Sequence, residues 1–456
     1  EIQEGRVERI SDSRAECAVH VIAKGGKKLM NIEEYLTTLT EQIRCKKARQ
    51  GVAREIRNHI LDQTQAYEQG GMEHDKAVEA AVHEMGDPVT AGAALDRIHR
   101  PQFDWRFFAM TILFSAAGIF VMYVTGALGS NAEWFPRQCL FTLFGIGVTV
   151  AIYFMDYTFI GKYALPIYIF MSIVFYIYQK TGTKVNGTVP AFRSLVYLYV
   201  PVYAGLLYKY RGELLSNIIK PLAFILLTTF FSKFLASSMY VGFCIGAICT
   251  ILFLYAVLKG WYKINEKRTT VFIMVFLFVS VLFAGYIFFF AADYQKMRIM
   301  AFLYPEGYRD ANYQLLATRR AIDGARFIGE STEGILIKQF VQQDTFLIFA
   351  QVVAMYGLIA GAAIITVFAA FAYRALHVVR HQKNQLGMIL SAACFLLVFF
   401  NCTTGILMNF GLLPMGSMQF PFLSRGGSGT IMYAVIIGLL MSCRRYEKII
   451  DLSADV

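Results

Sequence analysis

From Phe107 onward the sequence returns ten times to an apolar run, with centres near residues 117, 146, 169, 199, 226, 248, 280, 358, 398 and 435. A nearly uncharged run of about 20 residues is long enough to cross a bilayer as a helix. Backbone in hydrocarbon must satisfy its own hydrogen bonds, so repeated runs of this kind restrict the chain to a helical bundle. The expectation is an all-α, polytopic membrane protein with ten transmembrane helices. Composition agrees: 56% of the 456 residues are hydrophobic, 16% are charged and the mean hydropathy is +0.48, too apolar for a soluble protein of this size.

The net charge of +11 does not point to nucleic acid, because the basic residues fall in short clusters between apolar runs. Lys209 and Arg211, then Lys259, Lys263, Lys267 and Arg268, then Arg374, Arg380 and Lys383, and finally Arg444, Arg445 and Lys448 all fall on one side. That pattern marks the cytoplasmic face of the membrane and puts both termini inside. The first apolar run begins about a hundred residues in and is expected to stay as an anchor, with no cleaved signal peptide before it. Eight cysteines, Cys17, Cys45, Cys139, Cys244, Cys249, Cys394, Cys402 and Cys443, form no CxxC pair. They read as buried free thiols, neither a disulfide framework nor a metal site.

Residues 1–29 lack an apolar period and read as either a fragment boundary or an upstream extension, with no role assigned. Residues 30–100 read as a small cytoplasmic helical domain. Asn31 is placed to cap a first helix with Glu34 three residues on, and Ile32, Tyr35, Leu36, Leu39 and Ile43 recur at helical spacing. A second helix carries Val52, Ile56, Ile60 and Tyr67 and stops at Gly70 and Gly71. A third runs from about Glu73 to Met85, and Asp87 with Pro88 restarts a fourth. His59, His74 and His83 read as solvated helix positions, since none has a second ligand at a metal spacing.

Within the 105–448 membrane domain, residues 292–344 form one long connection on the outer side. Connections of that length are usually functional or disordered. Six aromatic residues, from Phe302 to Phe340, argue against disorder here. Lys296, Arg298, Arg309, Arg319, Arg320, Arg326 and Lys338 make it partly basic, which suits an anion such as a pyrophosphate. A solvated cap paired to Asp310, Asp323, Glu330 and Glu333 fits the same charges. A second irregular stretch, residues 412–429, carries Pro414, Pro421 and paired Gly426 and Gly427 between two apolar runs. Such backbone is tolerated at membrane depth only inside protein or beside a water-filled cavity. It is expected to be a cavity wall.

With these features together, residues 105–448 resemble the SEDS family of bacterial cell-wall polymerases, the FtsW, RodA and SpoVE group. The strongest motif is GLLPMGSMQFPFLSRGGSG, in which Gly411 to Pro414, Pro421, Phe422, Ser424, Gly426, Gly427 and Ser428 match the family pattern. Val185, Asn186 and Gly187 resemble an external VNG, and Tyr313 and Gln314, followed by Ala321, Ile322 and Gly324, resemble a further run. The segment GGMEHDKAVEAAVHEMGDP is similar to the short helical prefix domain that precedes the membrane part of some bacterial permeases.

The resemblance implies polymerisation of glycan strands from lipid II, an undecaprenyl-pyrophosphoryl disaccharide peptide, beside a class B penicillin-binding protein and among membrane lipids. Such chemistry needs a base for the acceptor hydroxyl and cationic groups for the departing pyrophosphate. No cofactor is implied beyond a divalent cation that could accompany the pyrophosphate. Substrate contacts are expected at Ser424, Gly426, Gly427, Ser428, Asn186 and Gln314 within the matched motifs, and at Arg425, a lone cation between Ser and paired Gly that needs a partner; Asp344 is the candidate base. The chain departs from the family at related positions. Phe346 stands where the aligned aspartate would be, Ala354 and Met355 replace a pair of acids, and Val202, Tyr203 and Leu206 replace a polar pattern after Pro201.

Two readings of Asp344 therefore stand: a general base displaced by two residues, or an N-cap for the eighth span. Ser424, Arg425 and Ser428 divide likewise, into substrate contacts or hydrogen-bonding helix breakers. Three functions follow in order: a lipid II polymerase, a relative that keeps the bundle as a scaffold of the wall machinery, and a transporter of lipid-linked precursors.

Overall fold

The computed structural model describes residues 31–101, 103–126, 134–183, 193–212, 215–262, 293–305, 307–331, 346–416 and 419–447, with isolated positions at 189, 281, 285, 288–289 and 291. Residues 1–29, Asn186 and Asp344 lie outside them, as does most of the expected span near 280. The chain divides into two compact units, 1–102 with 448–456, and 103–447.

In the first unit, α1 (Ile32–Glu41), α2 (Lys46–Gln69), α3 (His74–Glu84) and α4 (Pro88–His99) follow one another through short turns. Of the helix-spaced apolar positions, Tyr35, Leu36, Leu39, Ile43, Val52 and Ile60 are buried, while Ile32, Ile56 and Tyr67 are half-buried. Gly70 caps α2. Asp87 caps α4, accepting from the Thr90 amide at 2.9 Å, with Pro88 preset for the first turn. Asn31 occupies the N-cap of α1 as expected, but its side chain makes no capping bond. Buried Asp96 holds the α1–α2 corner by accepting from the Arg44 amide at 2.8 Å. His74 is exposed, with Nδ1 2.5 Å from Glu68 Oε1.

The second unit is all-helical: α5 (Trp105–Gly126), α6 (Trp134–Phe154), α7 (Thr158–Thr181), α8 (Tyr199–Lys209), α9 (Leu215–Ala236), α10 (Met239–Leu258), α11 (Asp293–Leu303), α12 (Arg309–Asp323), α13 (Ile348–Tyr356), α14 (Leu358–His381), α15 (Gln385–Asn409) and α16 (Gly427–Arg445). Among the described residues, eight of these, α5, α6, α7, α9, α10, α14, α15 and α16, are long and apolar enough to cross a membrane. The protein is a multi-pass membrane protein. Helices α10, α15 and α16 bury most of their apolar length inside the bundle, whereas α5, α6, α7 and α14 turn most of theirs outward. That outward apolar surface is what lipid would cover.

Two expected spans take another form. The run near 199 is a five-residue 3-10 turn, Ser194–Leu198, leading into the eleven-residue α8. Pro201 sits in the first turn of α8, where its missing amide would have had no partner within the helix. The run near 358 is broken at Gly357, whose φ of +91° ends α13; the spanning helix is α14, which begins one residue later. Pro166 kinks α7, where Tyr163 leaves helical geometry, because proline removes a donor and clashes with the preceding turn. Cys45, Cys244, Cys249, Cys394, Cys402 and Cys443 are free and buried, and Cys139 is half-buried.

At one end of the bundle Asp104 gathers three elements. Its carboxylate caps α5 through the Phe107 amide at 3.0 Å and accepts from Arg374 Nη2 of α14 at 2.9 and 3.0 Å. Arg444 of α16 approaches to 3.6 Å and also pairs with Glu447.

Candidate functional site

Residues 412–416 and 419–426 run without helix between α15 and α16. Phe420, Pro421, Leu423 and Ser424 are buried, which satisfies the requirement that such backbone be shielded from lipid. Ser424 closes a local turn: its Oγ accepts from the Phe420 amide at 2.7 Å while its own amide donates to the Phe420 carbonyl at 3.2 Å. The apolar residues around it pack tightly, with Phe420 against Phe349 and Phe368, and Phe422 against Phe114, Phe371 and Tyr433.

Gln419 organises the polar part of the stretch. Its Oε1 accepts from Ser194 Oγ at 2.6 Å, and its carbonyl accepts from the Tyr433 hydroxyl at 3.0 Å. A side chain at Gly429 would collide with the Gln419 amide, so only glycine lets the first turn of α16 come this close. From α6, Gln138 reaches across: Oε1 accepts from the Gly426 amide at 3.2 Å and Nε2 donates to Thr430 Oγ1 at 3.0 Å. Thr430 in turn donates to the Gly426 carbonyl through both its amide and its hydroxyl. The turn before α16 is thus fixed by Gln138 of α6 and by the bonds of Gln419 to Ser194 and Tyr433.

Of the residues singled out from sequence, Ser424, Arg425, Gly426, Gly427 and Ser428 lie together at the start of α16. Arg425 is half-buried and engaged in the fold. Gln314 is half-buried on α12, where its carbonyl accepts from Thr318. The link between α12 and the 412–429 stretch comes from Arg319, one turn further on, whose Nη2 donates to the Gly411 carbonyl. Asn186 and Asp344 lie outside the described residues.

The positions that depart from the family pattern are packed. Val202, Tyr203 and Leu206 are buried on α8, with the Tyr203 hydroxyl donating to the Pro221 carbonyl at 3.4 Å. Phe346 is half-buried against the core, and Ala354 and Met355 are buried on α13. Leu347 stands at the N-cap of α13, but the capping group comes from α15: Asn409 Oδ1 accepts from the Ala350 amide at 3.0 Å.

Sequence reasoning passed over Gln138, Gln419 and Asn409, and gave Arg319 only as one basic residue of a loop. The signal for the amides was present, since a lone Gln or Asn in a membrane run needs a partner inside the bundle. What an isolated amide does not name is that partner.

Chemically, the start of α16 combines helix-terminal amides, a guanidinium and hydroxyls, a set suited to an anion. Among the described residues no three His, Cys, Asp or Glu side chains come together as metal ligands.

Comparison with known proteins agrees with this architecture. A family model described as cell cycle protein, FtsW/RodA/SpoVE, matches residues 103–449. Similar curated proteins include the peptidoglycan glycosyltransferase MrdB of Escherichia coli K12, 26% identical over 187 residues, or 40% of this chain and 49% of that protein. MrdB of Helicobacter pylori is 29% identical, covering 38% of this chain and 46% of the relative. Stage V sporulation protein E of Bacillus subtilis is 24% identical, covering 35% and 44%. The matches thus span about half the length of these relatives or less. Among solved structures, a chain from work on the structural coordination of polymerization and crosslinking by a peptidoglycan synthase complex aligns with a TM-score of 0.61 at 16% identity, covering 76% of this chain and 99% of that one. Thermus thermophilus RodA aligns with a TM-score of 0.53 at 12% identity, covering 76% and 97%. The structural likenesses show a shared fold, the family match covers most of the chain, and on that match the protein belongs to the FtsW, RodA and SpoVE family of cell cycle proteins.

Proposed function

We propose that this protein is a peptidoglycan glycosyltransferase-like membrane protein that takes lipid II at the outer face of the bacterial plasma membrane and extends a glycan strand. The observation that carries this reading is the start of α16. There the family motif survives as a turn fixed by Gln419 and Gln138, with Arg425, Ser424 and Ser428 beside the helix terminus. In this reading Arg425 and the first amides of α16 meet the pyrophosphate, and Gln314 and Asn186 are further substrate contacts. Asp344 takes the proton from the acceptor sugar hydroxyl, and the pyrophosphate leaves with the bonding electron pair of the broken glycosyl bond. A divalent cation would arrive on the pyrophosphate, which supplies oxygen ligands of its own. A class B penicillin-binding protein, the transpeptidase partner that the family resemblance implies, would cross-link the product.

A second reading is a scaffold that keeps the bundle without the chemistry. It is favoured by the burial of Tyr203 and Leu206 and the packing of Phe346, which put close-packed apolar groups where the family resemblance implies polar ones.

One experiment separates the two. Full-length protein, with and without a class B penicillin-binding protein, is given labelled lipid II and polymer is resolved by gel. Polymer that disappears in Asp344→Ala supports the first reading with Asp344 as base. Polymer unchanged in that variant removes Asp344 from the mechanism. No polymer from the wild-type chain, with the transpeptidase still co-purifying, leaves the scaffold.

A further inference from the structure

The break between α13 and α14 is closed by a segment of the long connection. The last carbonyls of one helix and the first amides of the next have no partners in their own helices. Here residues 324–331 supply them. The Gly329 amide donates to the Tyr356 carbonyl at 3.2 Å and the Ser331 amide to the Ala354 carbonyl at 2.8 Å, completing the end of α13. The Arg326 carbonyl accepts from Leu358 at 2.9 Å and the Phe327 carbonyl from Ile359 at 3.2 Å, completing the start of α14. Ser331 Oγ closes the base of the segment on the Gly324 carbonyl at 2.9 Å. The backbone of 326–329 is therefore fixed to the first turn of a membrane-spanning helix.

The side chains at its tip are not covered. Phe327 is 76% and Ile328 74% exposed, and their surface continues onto exposed Leu358 and, at 55%, Ile359 of α14. Leaving two large apolar groups in water, on a segment that four backbone bonds hold in place, is unfavourable, at about 1.5–3 kcal/mol per side chain. The first turn of a span stands at the bilayer boundary, and groups bonded to its first two amides stand within a few ångströms of the same depth. Arg326 and Glu330, both exposed, flank the tip as charged residues that can reach the headgroups.

The geometry points to Phe327 and Ile328 as a lipid-inserted finger, seated among the headgroups and upper acyl chains beside the start of α14. Its occupant is membrane lipid, because the apolar patch is continuous with the outward face of a span. Through its four backbone bonds the finger holds the Gly357 break at a fixed depth. This does not rest on the catalytic reading of the protein.

The test uses the full-length chain in nanodiscs of equal parts phosphatidylcholine and phosphatidylglycerol, with Cys17 and Cys139 replaced by serine. A nitroxide is attached in turn to Phe327→Cys, Ile328→Cys, Ile359→Cys as a lipid-facing reference and Glu55→Cys, on exposed α2, as a water-facing one. Collision rates are then measured with oxygen, which concentrates in the bilayer, and with a water-soluble nickel complex. The expected result is oxygen exceeding nickel at both finger positions, as at 359. Nickel exceeding oxygen, as at 55, would overturn the proposal in favour of a solvated tip. Shielding from both reagents would overturn it in favour of a protein cover.

Discussion

Asn409 Oδ1 lies 3.0 Å from the amide nitrogen of Ala350, and the Nδ2 of the same side chain lies 2.9 Å from the Phe346 carbonyl. One buried amide at the end of α15 therefore both caps α13 and fixes Phe346, which the resemblance sets at the aspartate position of the family pattern. A third bond, to the Gly405 carbonyl at 2.8 Å, holds the side chain in place. Replacing Asn409 with alanine leaves the Ala350 donor and the Phe346 acceptor unpaired in the interior. Each such group costs about 1–3 kcal/mol. The expected outcome is a lower melting temperature in detergent and faster hydrogen exchange at the Ala350 amide. A wild-type melting curve for Asn409→Ala would mean that the cap contributes nothing.

Gly357 makes a second prediction. Its φ of +91° is one that other residues rarely adopt, and an added Cβ would fall 2.5 Å from the Phe327 carbonyl oxygen. Gly357→Ala should therefore strain the break, at roughly 1–3 kcal/mol for the backbone alone, and loosen the segment stitched across it. Hydrogen exchange at Gly329 and Ser331 should accelerate, while the Asp87-capped turn of α4 in the other unit keeps its wild-type rate. Unchanged protection at 329 and 331 would show that the segment does not depend on this glycine.

Asp104 supports an ordering of two variants. Asp104→Ala removes the Arg374 pair, the approach of Arg444 and the Phe107 cap together. Arg444→Ala leaves the Arg374 pair intact. Removing one partner of a fully buried pair costs about 3–5 kcal/mol, and the two guanidinium groups here keep part of their hydration, so ~1–3 kcal/mol is expected for Asp104→Ala. Thermal unfolding should rank wild type above Arg444→Ala and Arg444→Ala above Asp104→Ala. The reverse order would assign the stability to the Arg444 and Glu447 pair instead.

What could be read directly from the chain were features governed by neighbours in sequence. Asp87 with Pro88, Gly70, and the spacing of Tyr35, Leu36 and Leu39 fix helix ends and faces through local backbone geometry, and apolar run length marks most of the spans. The 412–429 stretch was legible for the same reason: Pro414 and Pro421 cannot continue a helix, and paired glycines disfavour one. Its motif carried the family with it. Tertiary structure decided which groups satisfy that irregular backbone. Gln419 finds Ser194 across 225 positions and Gln138 finds Gly426 across 288, while Asn409 supplies a cap 59 residues from its helix. An amide in an apolar run announces that it needs a partner, because an unpaired polar group is costly in the bundle interior. Which partner it finds depends on where other helices pass, and only the packed bundle settles that.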